Sequence, residues 1–339
     1  MQTIYLEEPG RFRLSDTARP GAPAPQQAKV RIHRVGVCGT DLHAFQGKQP
    51  FFSYPRILGH ELGVEVLAVG SDITGINSGD KCCVLPYLHC GACVACRMGK
   101  TNCCSRLEVL GVHIDGGMRE EILVPADKLL PSRALTYEQL ALVETLSIGA
   151  HAVERAQIQP GETVLVVGAG PIGLSVIQFA VLAGARIILL ELSPLRREFC
   201  ASRFELLGVL ETPDNALDRL QELTSGDLPT AVFDATGSQQ SMNRSFEYVS
   251  NGGRLILVGI TQGEISFRGP EFHRRELTIL STRNARMQDL QRVMSYMEDG
   301  SIDSRPWITH VSQPQEMVSV FSSWLDPNSG VVKAMVNLD

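Results

Sequence analysis

No excess of positive charge marks this chain. Its 339 residues carry 31 Lys and Arg against 37 Asp and Glu, for a net charge of −6, so it lacks the basic face with which nucleic-acid binders neutralise phosphates. No nucleic-acid partner is expected. No polar low-complexity tract and no internal repeat interrupts a composition of 44% hydrophobic and 20% charged residues, which is ordinary for a folded globular protein and argues against disorder. The first residues, MQTIYLEEPG, hold Glu7 and Glu8 and lack the basic segment and apolar core of a secretory signal. A cytoplasmic location without a membrane partner is expected. The uncharged stretch from Thr163 to Ala185 is long enough to cross a bilayer, yet its Gly168, Gly170, Pro171, Gly173 and Gln178 read as strand, turn and helix. The length allows two or three domains, each with its own core.

An even cysteine count is also missing. Nine cysteines, most of them between Cys82 and Cys104, do not suit a disulfide framework in a reducing compartment. In HCGACVACRMGKTNCC, Cys90, Cys93 and Cys96 follow at intervals of two residues, and Cys103 or Cys104 returns after a short loop. Thiolates at this spacing converge on one point and close a tetrahedral shell with bonds of about 2.3 Å, so a structural zinc is expected. An iron–sulfur cluster fits less well, because the Cys-Pro that ends the bacterial ferredoxin run is missing. The charge balance opposes a nucleic-acid zinc ribbon. Cys82, Cys83 and Cys200 are read as packing thiols, and His33, His89, His113, His151 and His310 receive no role.

Up to about residue 145, period-two runs such as Lys29-Val30-Arg31-Ile32-His33 and Val64, Val66, Ala68, punctuated by Gly and Pro, predict a barrel or sandwich of short strands. From Ala150 the pattern changes to ETVLVVG, ARIILLE, TAVFDATG, GGRLILVG and LTILST, separated by helical segments. Continuous apolar strands alternating with helices require a parallel sheet covered on both faces. Met287, Leu290, Val293, Met294 and Met297 then share one helical face. The tail ending in VVKAMVNL is too short to fold alone and is expected to rejoin the first domain.

GAGPIG lies between the strand TVLVV and the helical LSVIQFAVLAG, the context in which G-x-G-x-x-G binds a dinucleotide. Gly168 permits the tight turn, Gly170 lets the backbone reach a pyrophosphate, and Gly173 brings helix and strand together, with Pro171 and Ile172 opening the helix toward the phosphates. Glu191, 18 residues after Gly173, accepts hydrogen bonds from a ribose 2′-OH and repels a 2′-phosphate, which favours NAD over NADP. Arg196 and Arg197 complicate this: they could bind a 2′-phosphate, but are read rather as covering the adenine or sitting solvated on the following helix start. Thr236, Val258 and Gly259, at the ends of two later strands, complete the expected cofactor-binding set.

VCGTDLH supplies Cys38, Thr40, Asp41 and His43, LGHE supplies His60 and Glu61, and VETL supplies Glu144. A cysteine, a histidine and a carboxylate drawn from distant segments make a mixed ligand set that suits zinc with an open position.

CGTDLH, GHE, the four-cysteine loop, VETL and GAGPIG, in this order and over essentially the whole chain, resemble the zinc-containing medium-chain dehydrogenase/reductase superfamily. Its sorbitol, threonine and sugar-acid dehydrogenase branch is the most similar, because it carries a glutamate in VETL where liver-type alcohol dehydrogenases have a second cysteine ligand. The resemblance implies an α/β protein with two domains. One is a GroES-like β-barrel catalytic domain (1–148 and 286–339, the cysteine lobe at about 88–105), the other a doubly wound Rossmann domain (149–285). A homodimer or homotetramer with two zinc ions per subunit is implied as well. The resemblance selects Cys104 as the fourth structural ligand. It assigns Cys38, His60 and Glu61 to the catalytic zinc, Glu144 to that zinc or its water, Thr40 and His43 to a proton relay, and Asp41 to orienting His60. One thiolate and one carboxylate already balance a divalent cation, so Glu61 and Glu144 are expected to exchange rather than bind together.

The reaction implied is hydride transfer between NAD and a secondary alcohol of a polyol or sugar acid, an aldonate such as L-galactonate. QPFFSYPR, and PEFHRRE followed by TRNA, resemble loops of L-galactonate 5-dehydrogenase-like proteins. If they line the site, Lys48, Arg56, His273 and Arg283 could hold a carboxylate, while Phe51, Phe52 and Tyr54 also suit a core. Sorbitol or an amino alcohol such as threonine is the alternative substrate, although Ala44 replaces the aromatic that usually follows the relay histidine in sorbitol dehydrogenases. A zinc-free quinone or enoyl reductase would not need Cys38, His60 or the cysteine lobe. A non-catalytic NAD- and zinc-binding regulator would have little use for Thr40 and His43.

Overall fold

The computed structural model describes residues 1–50 and 52–339; Phe51, a core candidate in the sequence, lies outside the described residues. The chain divides into two compact units, Met1–Thr145 with Ala285–Asp339, and Leu146–Asn284.

The first unit opens with β1 (Gln2–Glu8), β2 (Arg11–Asp16), β3 (Gln27–Gly36), α1 (Gly39–Phe45) and β4 (Glu61–Val69). There follow β5 (Lys81–Val84), β6 (Tyr87–Leu88), α2 (Val94–Arg97), β7 (Glu108–Val109), β8 (Glu121–Pro125) and β9 (Leu129–Pro131). Helix α3 (Tyr137–Ala156) leads from this unit into the next.

The second unit contains β10 (Thr163–Val167), α4 (Pro171–Leu182), β11 (Arg186–Leu190), α5 (Pro194–Ala201), β12 (Gly208–Leu210) and α6 (Ala216–Leu223). Then come β13 (Ala231–Asp234), α7 (Gln239–Arg244), β14 (Arg254–Leu257), α8 (Gly269–Arg274) and β15 (Thr278–Ser281). The chain returns to the first unit with α9 (Met287–Glu298), β16 (Ile308–Ser312), α10 (Pro314–Val320) and β17 (Lys333–Asn337).

Alternation builds the first unit. β3 and β4 pair antiparallel with Gly36 opposite Glu61, and their inward Val30, Ile32, Val64 and Val66 are buried in one apolar core. Each such side chain contributes roughly 1.5–3 kcal/mol of transfer free energy. The sheet runs β16-β17-β3-β4-β5-β9, with β8 also on β3. The C-terminal tail therefore supplies two strands of this sheet, and Met335 stands opposite Gly36. In α9, Leu290, Val293, Met294 and Met297 are buried as their spacing predicts.

In the second unit every strand pair is parallel and the order is β12-β11-β10-β13-β14-β15, the doubly wound arrangement with a switch point beside the first strand. All five residues of β10 are buried, which a sheet covered on both faces demands. The uncharged run from Thr163 thus divides into β10, a turn and α4. Among the described residues no helix is long and apolar enough to cross a membrane.

Candidate active site

Two segments of the first unit, at the starts of α1 and β4, meet at one point. Cys38 caps α1, and its N–H donates to Asp41 Oδ2 at 2.9 Å, which fixes the helix start. His60 and Glu61 stand where β4 begins, directly across the ladder from the end of β3. The ligand atoms of Cys38, His60 and Glu61 all lie within 4.8 Å of one another. His60 Nδ1 is a buried nitrogen without a hydrogen-bond partner, 4.0 Å from Asp41 Oδ1, which is equally unpartnered. Burial pulls the His60 imidazole down, but Cys38 and Asp41 outweigh it and hold the ring well above its ordinary value. Burial pushes the Asp41 carboxyl up. The cluster therefore attracts positive charge, and its thiol, imidazole and carboxylate fit a zinc ion.

Glu61 has a partner that the motifs did not announce. Lys333 Nζ in β17, 1% exposed, reaches both Glu61 oxygens at 2.6 Å and Val37 O at 3.1 Å. A Cβ at Gly36 would stand 2.0 Å from Glu61 Oε2, so only glycine leaves room for this carboxylate. Burial pulls the Lys333 ammonium down, yet Glu61 and Cys38 carry it above the ordinary lysine value. Lys333 also changes the charge arithmetic. Its ammonium sets one positive charge against the Glu61 carboxylate, which lessens the excess that a second ionised ligand would bring to a divalent cation.

Glu144, buried on α3, lies outside the 4.8 Å cluster. Tyr87, at the root of the cysteine lobe, donates its hydroxyl to Glu144 Oε1. Burial pushes the Glu144 carboxyl up, and burial together with the Glu144 charge holds the Tyr87 phenol well above its ordinary value, so it stays the donor. Thr40 and His43 follow Cys38 on α1. Packing around its ring and the Lys48 ammonium hold His43 below the usual histidine value, leaving it neutral at pH 7 and able to accept a proton.

The second cluster is Cys90, Cys93, Cys96 and Cys104, whose sulfurs also lie within 4.8 Å of one another; Cys103 is exposed and outside it. Backbone amides prepare the thiolates. Those of Ala92 and Cys93 lower Cys90 to about 7, and those of Cys96 and Ser105 lower Cys93 to about 5. Four convergent thiols suit a closed tetrahedral zinc shell. Cys82 and Cys200, by contrast, are pushed up to about 12 by burial, and Cys83 higher still, as inert packing thiols should be.

In the second unit GAGPIG forms the turn from β10 into α4. Gly168 has φ +92°, closed to most side chains. A Cβ on Gly173 would stand 1.8 Å from Gly168 O, whereas one on Gly170 would meet nothing nearer than Arg196 Nη1 at 3.8 Å, so the loop is tight inside and approachable outside. Pro171 and Ile172, half-buried, begin the helix. Glu191 at the end of β11 accepts from Ala169 N at 2.6 Å and Ser193 N at 2.8 Å. Arg197 is occupied by the carbonyls of Glu191 and Leu192, which leaves Arg196 beside the glycine loop. Thr236 follows β13, with its Cγ2 3.1 Å from where a Gly168 Cβ would be, and Val258 and Gly259 follow β14. The buried carboxylate of Asp234 accepts from the hydroxyls of Thr236, Ser241 and Ser245 at 2.6, 2.6 and 2.9 Å and from Thr236 N at 3.0 Å. It thereby ties the loop after β13 to α7.

Residues 24–134 match the alcohol dehydrogenase GroES-like domain, and residues 171–299 the zinc-binding dehydrogenase domain. L-galactonate-5-dehydrogenase of Escherichia coli (strain K12) is 43% identical over 310 residues, 91% of each chain. The chain belongs to the zinc-type alcohol dehydrogenase family. Its fold is shared with solved dehydrogenases. An alcohol dehydrogenase of Escherichia coli CFT073 complexed with NADH has a TM-score of 0.92 at 27% identity, covering 100% of this chain and 99% of that one. A zinc-binding dehydrogenase of Sinorhizobium meliloti 1021 bound to NADP has a TM-score of 0.90 at 27% identity, covering 99% of both. This dehydrogenase is accordingly an oxidoreductase with zinc-binding and nicotinamide-nucleotide-binding domains, acting on a small-molecule alcohol.

Each anion-binding candidate of the dehydrogenase has its own surroundings. Arg56 donates to Ser53 Oγ at 2.7 Å and lies 3.4 Å from Asp115 Oδ1, on a backbone paired with Leu6. Lys48 is close enough to His43 to lower its proton affinity. His273 lies on α8. Arg283 is exposed, beside Asn284 with φ +51°. Sequence reasoning missed Lys333, Tyr87 and Asp234. For Lys333 a signal existed: a lysine within the apolar VVKAMV, on a strand with both faces buried, demands an anionic partner.

Proposed function

We propose that this protein transfers a hydride from a secondary alcohol of a polyol or sugar acid, an aldonate such as L-galactonate, to NAD. The observation that carries the reading is the cluster of half-buried Cys38 with buried His60 and Glu61, joined to the 43% identity with L-galactonate-5-dehydrogenase. Cys38, His60 and Glu61 would hold a catalytic zinc and Cys90, Cys93, Cys96 and Cys104 a structural one. Bound there, the catalytic ion would supply Lewis acidity to a substrate hydroxyl. Thr40 and the neutral His43 are the groups that take up and pass on the hydroxyl proton. Glu144 serves the same site from outside the cluster, and Asp41 orients His60. Arg283, Lys48 and Arg56 are the candidate cations for a substrate carboxylate.

Gly168, Gly170, Pro171, Ile172 and Gly173 would receive the pyrophosphate at the α4 N-terminus, with Arg196, Thr236, Val258 and Gly259 around the cofactor. Glu191 selects NAD, since its carboxylate at the end of β11 opposes a 2′-phosphate. Glu191→Ala is expected to move the ratio of kcat/KM for NAD over NADP at least about tenfold toward NADP, measured by initial rates with both cofactors; an unchanged ratio removes Glu191 from cofactor selection. A homodimer or homotetramer suits β15, which forms an edge of its sheet. Nine unpaired thiols suit a reducing cytoplasm.

The test is a panel of aldonates, polyols, threonine and simple primary alcohols, run with NAD and NADP on protein of measured zinc content. L-Galactonate or a related aldonate with NAD is expected to give the highest kcat/KM. Activity confined to simple primary alcohols would overturn the substrate class, and zinc-loaded protein that reduces neither cofactor would favour a regulatory role.

A further inference from the structure

The cluster of Cys38, His60 and Glu61 provides three ligands, whereas zinc takes four, and a catalytic zinc must keep the fourth place for water or substrate. A second carboxylate in the same buried, charged surroundings threatens that vacancy. Glu144 is such a group: it is 5% exposed and interacts electrostatically with His60, Glu61 and Lys333. Its Oε1 accepts the hydroxyl of Tyr87, and its carboxylate stays outside the 4.8 Å cluster.

We propose that Tyr87 is a positioning residue for the reaction: its hydroxyl holds Glu144 back from Cys38, His60 and Glu61, and so keeps the fourth metal position open for the substrate oxygen. This rests on the zinc-dehydrogenase reading of that cluster. A phenol has one proton to donate, and an O–H donor facing a carboxylate makes a charge-assisted bond, stronger than a neutral one. For Glu144 to move onto the metal it must surrender that bond and leave a buried donor unpartnered, which folded proteins avoid. The restraint is useful only if Tyr87 itself cannot follow, and its backbone is fixed on both sides. Tyr87 pairs with Val109 across the β6–β7 ladder. Leu85 N donates to Lys128 O at 2.8 Å, and Leu110 N donates to Pro86 O at 3.1 Å. The four-cysteine lobe, Cys90 to Cys104, is the insertion between β6 and β7. A metal held by the lobe would therefore clamp β6, which carries Tyr87, to its partner β7, and link the four-cysteine site to the Cys38 cluster through a single hydroxyl.

Tyr87→Phe removes the hydroxyl and little else. The readout is cobalt(II) substituted for zinc, whose visible d–d bands report coordination, titrated with imidazole as a probe of the open position. In the wild type the bands are expected to shift as imidazole binds. In Tyr87→Phe, Glu144 takes the vacancy, so imidazole binds about tenfold or more weakly and kcat falls by a similar factor. Adding Glu144→Gln to that variant is expected to restore wild-type imidazole affinity, because a neutral amide competes poorly for the metal. Unchanged imidazole affinity in Tyr87→Phe overturns the proposal, as does a double variant that remains as weak as the single. Glu144→Gln alone keeps the phenol and makes the test independent of how Tyr87→Phe folds. It is expected to bind imidazole at least as tightly as the wild type, and weaker binding overturns the assignment. Wild-type protein that takes up one metal per chain, or whose cobalt bands ignore imidazole, would instead remove the zinc reading of the Cys38 cluster, and the role of Tyr87 with it.

Discussion

Lys333→Met is expected to lower the stability of the first unit by about 3–5 kcal/mol, the usual cost of stripping one partner from a buried ion pair. For a unit of this size that corresponds to a fall in Tm of about 6–20 °C, read by differential scanning calorimetry. The magnitude follows from burial: Lys333 and Glu61 are each 1% exposed, so solvent cannot replace the lost ammonium. Lys333→Met with Glu61→Gln should recover much of the loss, because no uncompensated charge remains. The pH dependence has a definite sign. The Lys333 value is raised above its ordinary 10.5, the Glu61 and Cys38 charges outweighing burial. Its contribution is therefore complete at neutral pH and disappears only as pH climbs through the folded-state value. A Lys333→Met protein that melts with the wild type would mean that Glu61 finds another counter-charge.

If both the Cys38 cluster and the four-cysteine lobe hold zinc as proposed, Cys96→Ser is expected to reduce zinc content from two ions per chain to one at modest metal excess. Apparent binding energies of about 10–16 kcal/mol for small four-ligand zinc sites place about 2.5–4 kcal/mol on each ligand, or roughly 10²–10³-fold in affinity. Atomic absorption on dialysed protein measures the loss. Proton competition sharpens the test. Cys96 is pushed up to about 12, first by desolvation and then by neighbouring thiols, while Cys90 sits at about 7 and Cys93 at about 5. Binding at neutral pH must therefore expel the Cys96 proton. Affinity in the wild-type lobe should fall further as pH drops through 7 and again through 5, as each thiolate is capped in turn. Retention of two ions by Cys96→Ser would show that exposed Cys103 had entered the shell.

The parts of the molecule that local sequence encodes were readable. G-x-G-x-x-G between an apolar strand and a helix places a tight turn whatever surrounds it, and the structure forms it with Gly168 at φ +92°. Apolar runs such as TVLVV and the IILL of β11 announce a sheet buried on both faces, because a strand with one wet face would alternate. Strand β12, three residues long, is too short to show a period. What could not be read is pairing across long stretches of chain. Lys333 meets Glu61 over 272 residues and Tyr87 meets Glu144 over 57. No spacing rule joins such positions, since only the sheet order brings β17 beside β3. Glu191 shows a subtler gap. Its place at a strand end was legible, but its bonds to the backbone of Ala169 and Ser193 depend on loop geometry that residue types do not specify.

The dependence of Glu61 on β17 has a temporal side. A ribosome delivers Glu61 first, then the whole nucleotide-binding unit, and Lys333 only after it. Residues 146–284 can complete their own sheet while the nascent first unit still waits for a neutralising amine. The pocket around Glu61 is thus finished only after that second sheet has emerged, and a chain released before β17 leaves one sheet ready and an acid stranded in the other.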